Sequence, residues 1–238
     1  MGYCVNFGSN NRYKTITILK REIIVTDDGS ATIYLPDMNE TYHSKFGAIQ
    51  EANHVFIQNG LALTKGQPVA VLEIGFGTGL NAFITLLEAA KTGQVIAYTG
   101  VEAYPVQPEE YARLNYAQQL GEGEHAGIFN RMHTAVWETP IQLTNNVTLT
   151  KQQKFFHDIC DVEKYDLIYF DAFGYPSQPE LWSEEIFAKM FAALKPGGIL
   201  VTYACRTVIR NAMKTAGFVT EKLPGPPGKR EMLRARKI

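Results

Sequence analysis

The chain has 238 residues, of which 45% are hydrophobic and 20% charged, so it can build one large domain with a small appendage and is not intrinsically disordered. The net charge is −1, but residues 195–238 hold ten Lys and Arg against two acids, which is typical of a one-sided polyanion contact or of a solvated face. Because the N-terminus lacks a basic stretch before an apolar run, and no apolar stretch approaches the roughly 18 residues of a membrane span, we expect a soluble cytoplasmic protein.

The first 65 residues differ from the rest of the chain. Residues 15–19 and Ala31–Leu35 are short β-branched runs separated by the turn sequence of residues 27–30, which predicts a hairpin. Apolar residues from Ile49 to Phe56 share one helical face, which predicts a helix that ends before Gly60. We therefore expect residues 1–65 to form an N-terminal extension of a β-hairpin and a helix.

After Pro68 the pattern changes to apolar runs that alternate with helical segments. The runs are residues 69–74, 95–101, 165–170 and 198–203, and the clearest helical patterns are residues 184–194 and 207–216. Such alternation is typical of an α/β domain whose mostly parallel sheet is covered on both faces. The last strand candidates, residues 218–223 and 231–235, are joined by a Pro- and Gly-rich link that is too short for a helical crossover. They are predicted to form an antiparallel hairpin at the sheet edge of a domain spanning residues 66–238.

The three cysteines do not indicate a disulfide framework. Cys4, Cys160 and Cys205 lie far apart and show no CxxC spacing. We expect free thiols in a reducing compartment, with neither a disulfide nor a metal site.

A glycine-rich loop closes the first strand of the domain. Gly75, Gly77 and Gly79 allow a sharp turn and a close approach to a ligand at the start of the next helix. On its own this pattern also fits a purely structural turn. The spacing is GxGxG, however, and differs from the GxGxxG of dinucleotide binders. Glu73 stands two residues before the first glycine, where its carboxylate would repel a pyrophosphate but suit a ligand with ammonium and sulfonium groups.

The next strand ends at Glu102, whose carboxylate can accept both hydroxyls of a ribose. S-adenosylmethionine carries a ribose and no phosphate, so it satisfies the loop and both acids, whereas NAD does not. The sequence thus predicts a class I methyltransferase with a Rossmann-like sheet. The expected cofactor contacts are Glu73, Gly75, Phe76, Gly77, Gly79, Asn81 and Glu102.

The segment after residues 165–170 is the predicted acceptor loop. It should face the methyl group because ligands bind beyond the carboxyl ends of parallel strands. It offers an acid at its start, Asp171, and three aromatic residues, Phe173, Tyr175 and Trp182. A connector whose aromatics pack in the core is the alternative, and it suits Trp182 better than Asp171.

This loop carries a family resemblance. Asp171-Ala172-Phe173 followed by Pro179-Glu180-Leu181-Trp182 resembles the DGFxP…NPxMW signature of the methyltransferase domain of the MnmC family and of its stand-alone MnmD counterpart. The resemblance spans roughly residues 40–238 and includes LEIGFGTGLN and the KREM sequence at residues 229–232. Ala172 and Gly174-Tyr175 depart from the pattern, as does the missing Gly-Asp pair after the third strand. Asp158 is a possible substitute there for contacting the adenine.

The resemblance implies methyl transfer to the primary amine of 5-aminomethyl-2-thiouridine at the tRNA wobble position. Asp171 would orient the amine or accept its proton, and Phe173 or Tyr175 would stack on the uridine in the anticodon region. Candidate phosphate contacts are Arg206, Arg210, Lys229 and Arg230. Tyr42, His43 and Glu51 are the candidates for substrate contact in the extension.

Bifunctional members of that family carry an oxidase domain after this one. The chain ends at Ile238, so we expect no oxidase activity and a separate enzyme that supplies the aminomethyl-uridine. Two alternatives remain open. One is a methyltransferase or aminopropyltransferase acting on a small amine, and the other is a catalytically silent module that binds tRNA or nucleotide.

Overall fold

The computed structural model describes residues 20–64, 66 and 68–238. Its N-terminal part is an antiparallel sheet of β1 (Glu22–Val25), β2 (Ala31–Leu35) and β3 (Glu40–Thr41), in the order β1-β2-β3. The predicted hairpin at Ala31–Leu35 is present: β2 pairs antiparallel with β1 on one side and with β3 on the other. The turn at residues 26–30 folds the chain back on itself, so the antiparallel partner of β2 in the hairpin is Glu22–Val25. Residues 15–19 lie outside the described residues.

The main sheet has eight strands among the described residues, in the order β10-β11-β9-β8-β4-β5-β7-β6. Its strands are β4 (Val69–Ile74), β5 (Ile96–Val101), β6 (Ile141–Thr144), β7 (Val147–Gln152), β8 (Tyr165–Phe170), β9 (Leu194–Thr202), β10 (Val219–Pro224) and β11 (Glu231–Arg236). The five central strands from β9 to β7 run parallel. This confirms the predicted Rossmann-like sheet of a class I methyltransferase.

Both edges of the sheet are antiparallel. The predicted C-terminal hairpin of β10 and β11 is confirmed, and β11 pairs antiparallel with β9. The other edge, where β6 runs antiparallel to β7, was not predicted. Only alternate residues of β7 are buried, so this segment lacks the continuous apolar run that marked the central strands.

Seven α-helices surround the sheet in the described residues. They are α1 (Ala48–Ala52), α2 (Leu80–Thr92), α3 (Pro108–Tyr111), α4 (Tyr116–Gln119), α5 (Ala126–Thr134), α6 (Glu184–Ala193) and α7 (Thr207–Thr215). A π-helical segment, Asn53–Gln58, continues α1 and confirms the predicted helical stretch before Gly60. None of these helices is both long and apolar enough to span a membrane.

The two faces of the sheet bury separate cores, because successive strand residues point to opposite sides. Val71 of β4 packs in the cluster that contains Phe83 of α2. Its neighbour Leu72 packs in the cluster that contains Phe187 of α6. The helices therefore fix β4, β5 and β8 from both sides, and the carboxyl ends of these strands form a rigid edge.

The N-terminal sheet is held above that edge. Ile33 and Leu35 of β2 are buried with Val106, and Tyr42 and Phe173 pack against this cluster. Arg21 also donates to the Glu110 carboxylate at 2.9 Å and to the Tyr104 carbonyl at 3.0 Å. The extension thus closes a space over the strand ends, and the site lies in that space.

Candidate active site

The glycine loop is shaped by contacts that side chains would block. Gly75 has φ +88°, and a Cβ there would lie 2.6 Å from the Asp171 carbonyl oxygen. The Gly75 and Phe76 amides both donate to the Val101 carbonyl at 3.0 Å. Gly79 has φ +74° and is the residue before α2. The loop therefore lies flat across the ends of β5 and β8, as the glycine pattern predicts.

Glu102, which follows β5, is fixed by the backbone. Its carboxylate accepts from the Gly77 amide at 3.0 Å and the Tyr104 amide at 2.8 Å. Burial raises its pKa, although these backbone donors act in the opposite direction. The carboxylate is held at the wall of a cavity, where it can accept hydrogen bonds from a ribose.

That cavity has a volume of about 970 Å³, enough for a nucleoside cofactor and part of an acceptor. We call the part of the lining formed by the glycine loop, Glu102 and the segment from Phe155 to His157 the cofactor end, and the part that includes Glu51, Asp171, Tyr203 and Lys229 the acceptor end. The cavity is also lined by Glu40, Tyr42, His43, Phe46, Phe173 and Gly228. Predicted cofactor and acceptor residues therefore share one space.

Two acids are joined by a single amide beneath the glycine loop. Asn81 Nδ2 donates to Glu73 Oε1 at 2.9 Å and to Asp171 Oδ2 at 2.8 Å. Glu73 is only 1% exposed, and neither it nor Asn81 lines the cavity. Glu73 and Asn81 are therefore linked to the cavity through Asp171, and their predicted direct contacts with the ligand stay predictions. Burial raises the pKa of Glu73 well above its usual range.

Asp171 reaches the cavity from the end of β8. Burial and the nearby Glu51 carboxylate raise its pKa to about 7, while Asn81 and the Lys229 ammonium oppose this shift. Such a group exchanges its proton near neutral pH, which suits a general base.

Glu51 and Lys229 form an ion pair within the same cavity. Glu51 is 7% exposed, and its other oxygen accepts from the Ser44 amide at 3.0 Å. The Lys229 ammonium lies 4.0 Å from the centre of the Tyr203 ring. Lys229 is therefore partly buried in the cavity, whereas Arg206 and Arg230 are exposed, and its predicted phosphate contact stays a prediction.

The aromatic residues of the predicted acceptor loop have separate surroundings. Phe173 lines the cavity and contacts Tyr42 edge to face, with ring centres 5.0 Å apart. Trp182 is buried, as expected of a core residue, and donates to the Phe173 carbonyl at 2.8 Å. Tyr175 lies outside the lining, with the Arg206 guanidinium 5.9 Å from its ring centre.

Asp158 does not line the cavity. Its side chain is half exposed and lies 3.4 Å from His157, so the predicted contact with adenine stays a prediction. The neighbouring residues missed by the sequence reading do line the cavity. Phe155 and His157 stack with ring centres 5.3 Å apart, and the run Phe155-Phe156-His157 after β7 was the available signal.

Thr78 in the glycine loop forms hydrogen bonds with three side chains from other segments, which the sequence did not predict. Its hydroxyl bonds His43 Nε2 at 2.6 Å and the Tyr116 hydroxyl at 3.0 Å. Its carbonyl accepts from His133 Nε2 at 3.1 Å. Burial lowers the pKa of His43 to about 4 and that of His133 to about 3. Both rings are therefore neutral at pH 7, and they tie the loop to the extension and to α5.

Comparison with known proteins agrees with this geometry. Residues 130–238 match the model of a family described as S-adenosyl-L-methionine-dependent methyltransferase. The chain is 29% identical over 240 residues to the "tRNA 5-methylaminomethyl-2-thiouridine biosynthesis bifunctional protein MnmC" of Cupriavidus metallidurans, covering 90% of this chain and 34% of that protein. It is 31% identical over 238 residues to the protein of the same name from Aromatoleum aromaticum, covering 89% and 34%. The chain thus spans about a third of the length of these curated relatives.

Solved structures show the same fold. MnmC2 from Aquifex aeolicus superimposes with a TM-score of 0.74 at 22% identity, covering 91% of this chain and 70% of that one. Spermidine synthase from Thermotoga maritima gives 0.54 at 16% identity, covering 93% and 74%. At these identities the likeness is one of fold alone, and S-adenosylmethionine follows as the cofactor from the family model.

Proposed function

We propose that the chain, a member of the S-adenosyl-L-methionine-dependent methyltransferases, methylates the primary amine of 5-aminomethyl-2-thiouridine at the tRNA wobble position. The observation that carries this proposal is Asp171, an acid with a pKa of about 7 that shares one cavity with Glu102 and the glycine loop. The choice of tRNA as substrate is supported by what the relatives are named for.

The glycine-loop end of the cavity fits the cofactor. Glu102, whose carboxylate is held by two backbone amides, would accept the ribose hydroxyls, and the flat faces of Phe155 and His157 suit an adenine. When bound, S-adenosylmethionine supplies a methyl group on a positively charged sulfur. Asn81, fixed between Glu73 and Asp171, holds the end of β8 in place against the loop.

Asp171 would act as the general base that removes a proton from the acceptor ammonium. An alkyl ammonium has no lone pair, so it must lose a proton before its nitrogen can attack the methyl carbon. The Asp171 carboxylate accepts that proton, directly or through water. The neutral nitrogen could then take the methyl group, and the transfer would leave the electrons of the broken C–S bond on sulfur. The product is a secondary ammonium, and positioning supplies most of the rate gain.

The rest of the acceptor nucleotide would contact the walls of the cavity. Phe173, braced by Tyr42, offers a face on which the uridine can stack, as unpaired anticodon bases do. Arg206 and Arg230 are exposed beside the cavity loops and suit backbone phosphates. Tyr175, next to Arg206, would stack on a neighbouring base. With the domain boundary placed after residue 65, the described residues 20–64 form the extension that closes the site, and residues 66–238 act as the methyltransferase domain.

Because its product is a methylaminomethyl group, the enzyme needs a tRNA that already carries the aminomethyl group. A separate activity must supply this precursor.

A methyl-transfer assay with purified chain and labelled S-adenosylmethionine tests the function. We expect label in tRNA that carries aminomethyl-uridine and none in tRNA that lacks it. Free polyamines serve as the matched acceptors for the small-amine alternative. Label in polyamines and none in tRNA would refute the proposal, and failure to bind S-adenosylmethionine in calorimetry would leave only a binding module.

A further inference from the structure

A lysine ammonium lies in the acidic part of the cavity. Lys229 is ion-paired with Glu51, and the Tyr203 ring centre is 4.0 Å from its ammonium. Asp171 lines the same cavity, and the Tyr203 hydroxyl donates to the carbonyl of the next residue, Ala172, at 2.8 Å. Two carboxylates and an aromatic face are the groups that bind an organic ammonium.

Lys229 differs from the neighbouring lysines of the C-terminal region. Lys222 pairs with Glu231 at 2.8 Å, and both side chains are at least one-third exposed. Lys229 instead reaches an acid of α1 that is 9% exposed in its side chain. Because Glu51 is buried, leaving its carboxylate without a cation would destabilise the folded protein.

The backbone of the hairpin tip holds Lys229 over the cavity. The Lys229 amide donates to the Pro226 carbonyl at 2.9 Å. Gly228 has φ +81°, and a Cβ there would overlap the Phe46 ring. Phe46 is 55% exposed at the cavity mouth. The tip between β10 and β11 is thus seated by one exposed aromatic ring and one ion pair.

The acceptor brings a second cation to this place. An acceptor amine enters as an ammonium, and two ammonium ions cannot share the space between Glu51 and Asp171 without strong repulsion. We infer that Glu51, Asp171 and Tyr203 form the subsite for the acceptor ammonium, and that Lys229 occupies this subsite until the acceptor displaces it. This inference rests on the proposed function, because it describes which group occupies the acceptor end of the cavity before the acceptor binds.

Displacement would move Lys229 toward Arg230, the exposed residue that follows it on the hairpin tip. A polyanionic backbone beside the tip stabilises both cations there. Lys229 keeps its proton throughout, so the exchange replaces one ammonium by another and needs no further reactant. A small free amine brings no phosphate with it, and it must compete with Lys229 unaided. The exchange therefore favours an amine that is attached to a nucleic acid.

Binding of benzylammonium, a primary ammonium on a flat ring, tests the inference without cofactor or RNA. Calorimetry should show that Lys229→Met binds this probe at least about tenfold more tightly than the wild type, a difference of about 1.4 kcal/mol. The matched control is Lys222→Met, which removes a lysine ion pair from the same hairpin and should bind like the wild type. Adding Glu51→Gln to Lys229→Met should abolish the gain. Equal affinities of the wild type and Lys229→Met would overturn the inference.

If Lys229→Met does not fold, the chemical reactivity of Lys229 in the wild-type protein tests the inference instead. Reductive methylation followed by peptide mass spectrometry should show Lys229 protected in the free protein. Saturating benzyltrimethylammonium, a probe that formaldehyde cannot modify, should raise its modification severalfold and leave Lys222 unchanged. Unchanged modification of Lys229 with the probe bound would overturn the inference.

The two proposals fail separately. If the probe displaces Lys229 but aminomethyl tRNA is not methylated, only the proposed function fails. If tRNA is methylated while Lys229 and the probe do not compete, only the inference fails.

Discussion

The two ends of the cavity are built in different ways. The cofactor end comes mostly from two consecutive strands and the loops that follow them, within residues 69–102, and residues 155–157 complete it. The acceptor end brings together Glu51 of α1, Asp171 after β8, Tyr203 after β9 and Lys229 between β10 and β11. One end is thus a local structure, and the other exists only when the whole chain is folded.

The means of fixation differ as well. Glu102 and the glycine loop are held by backbone amides and by glycine conformations. Glu51, Asp171 and Lys229 are held by side-chain charges that influence one another. Backbone contacts give a site of constant shape, whereas an ion pair can exchange partners when a ligand of the same charge arrives. The comparison predicts that changes at the two ends affect different steps.

The largest effect is expected for Asp171→Asn at the acceptor end. The amide keeps an oxygen for Asn81 but cannot accept the amine proton, so turnover should fall by about 10² to 10⁴-fold. Calorimetry should show S-adenosylmethionine binding within about twofold of the wild type. The control is Glu185→Gln, which removes an exposed acid in the first turn of α6. Turnover of Asp171→Asn within a factor of about three of the wild type would contradict the assignment.

The pH dependence should follow the same group. Asp171 has a pKa of about 7, so its basic form is lost as the pH falls through 7. The kcat/KM for the acceptor, which reports ionisation of the free enzyme, should fall about tenfold for each pH unit below that value. Above it, any remaining rise belongs to the substrate amine. Asp171→Asn should lack the step near pH 7, and a wild-type rate that is flat between pH 5 and 7 would exclude Asp171 as the base.

Glu102→Gln should act on the cofactor end alone. Replacing a charged acceptor by a neutral one costs about 1.5 to 3 kcal/mol, which corresponds to about 10- to 100-fold weaker binding of S-adenosylmethionine. Turnover at saturating cofactor should recover most of the wild-type value. Calorimetry measures the loss, and Glu109→Gln, an exposed acid seven positions further along, is the control. A large loss of turnover at saturation would show that the two ends are not separable.

Neutral histidines around Thr78 should make the fold sensitive to acid. The pKa of His133 is lowered to about 3 in the folded protein, so between pH 7 and 5 only the unfolded chain gains a proton at this residue. The free energy of unfolding should therefore drop by about 2 kcal/mol from His133 as the pH falls from 7 to 5. Urea denaturation of His133→Phe should show a smaller drop than the wild type. His157→Gln, an exposed control, should leave the drop unchanged.

The smallest effects are expected from the surface cations. Arg206→Ala and Arg230→Ala should each weaken tRNA binding less than about tenfold and reduce the salt slope by about one. Filter binding at several salt concentrations measures both quantities. Lys91→Ala lies at the far end of α2, away from the loop that begins it, and should change neither. Equal slopes for all three variants would place the RNA on another face.

The strands and the glycine turn of the cofactor end could be predicted from the sequence for a physical reason. Strand, glycine turn and strand-end acid are set by local conformation, so the spacing from Glu73 to Glu102 carries the information. The bounds of β4 and β8 coincide with their apolar runs for the same reason. The edge strand β6 was missed because a strand exposed on one face has only a weak pattern.

The acceptor end could be predicted only in part. Asp171, Glu51 and Lys229 were singled out, but their proximity depends on packing between segments that are far apart in sequence. Lys229 was interpreted as a surface contact because a basic turn is usually solvated. Nothing local reveals that a buried carboxylate 178 positions earlier is its partner. The contacts of Thr78 were missed for the same reason, because its histidine partners lie far away in sequence, in the extension and in α5.

The most direct test of the account is nucleoside mass spectrometry of tRNA from cells with and without the gene. We predict that its loss removes the methylaminomethyl base and leaves the aminomethyl precursor. Restoring the wild-type gene should restore the methylated base, whereas a gene encoding Asp171→Asn should not. An unchanged level of the methylaminomethyl base in cells without the gene would contradict the account.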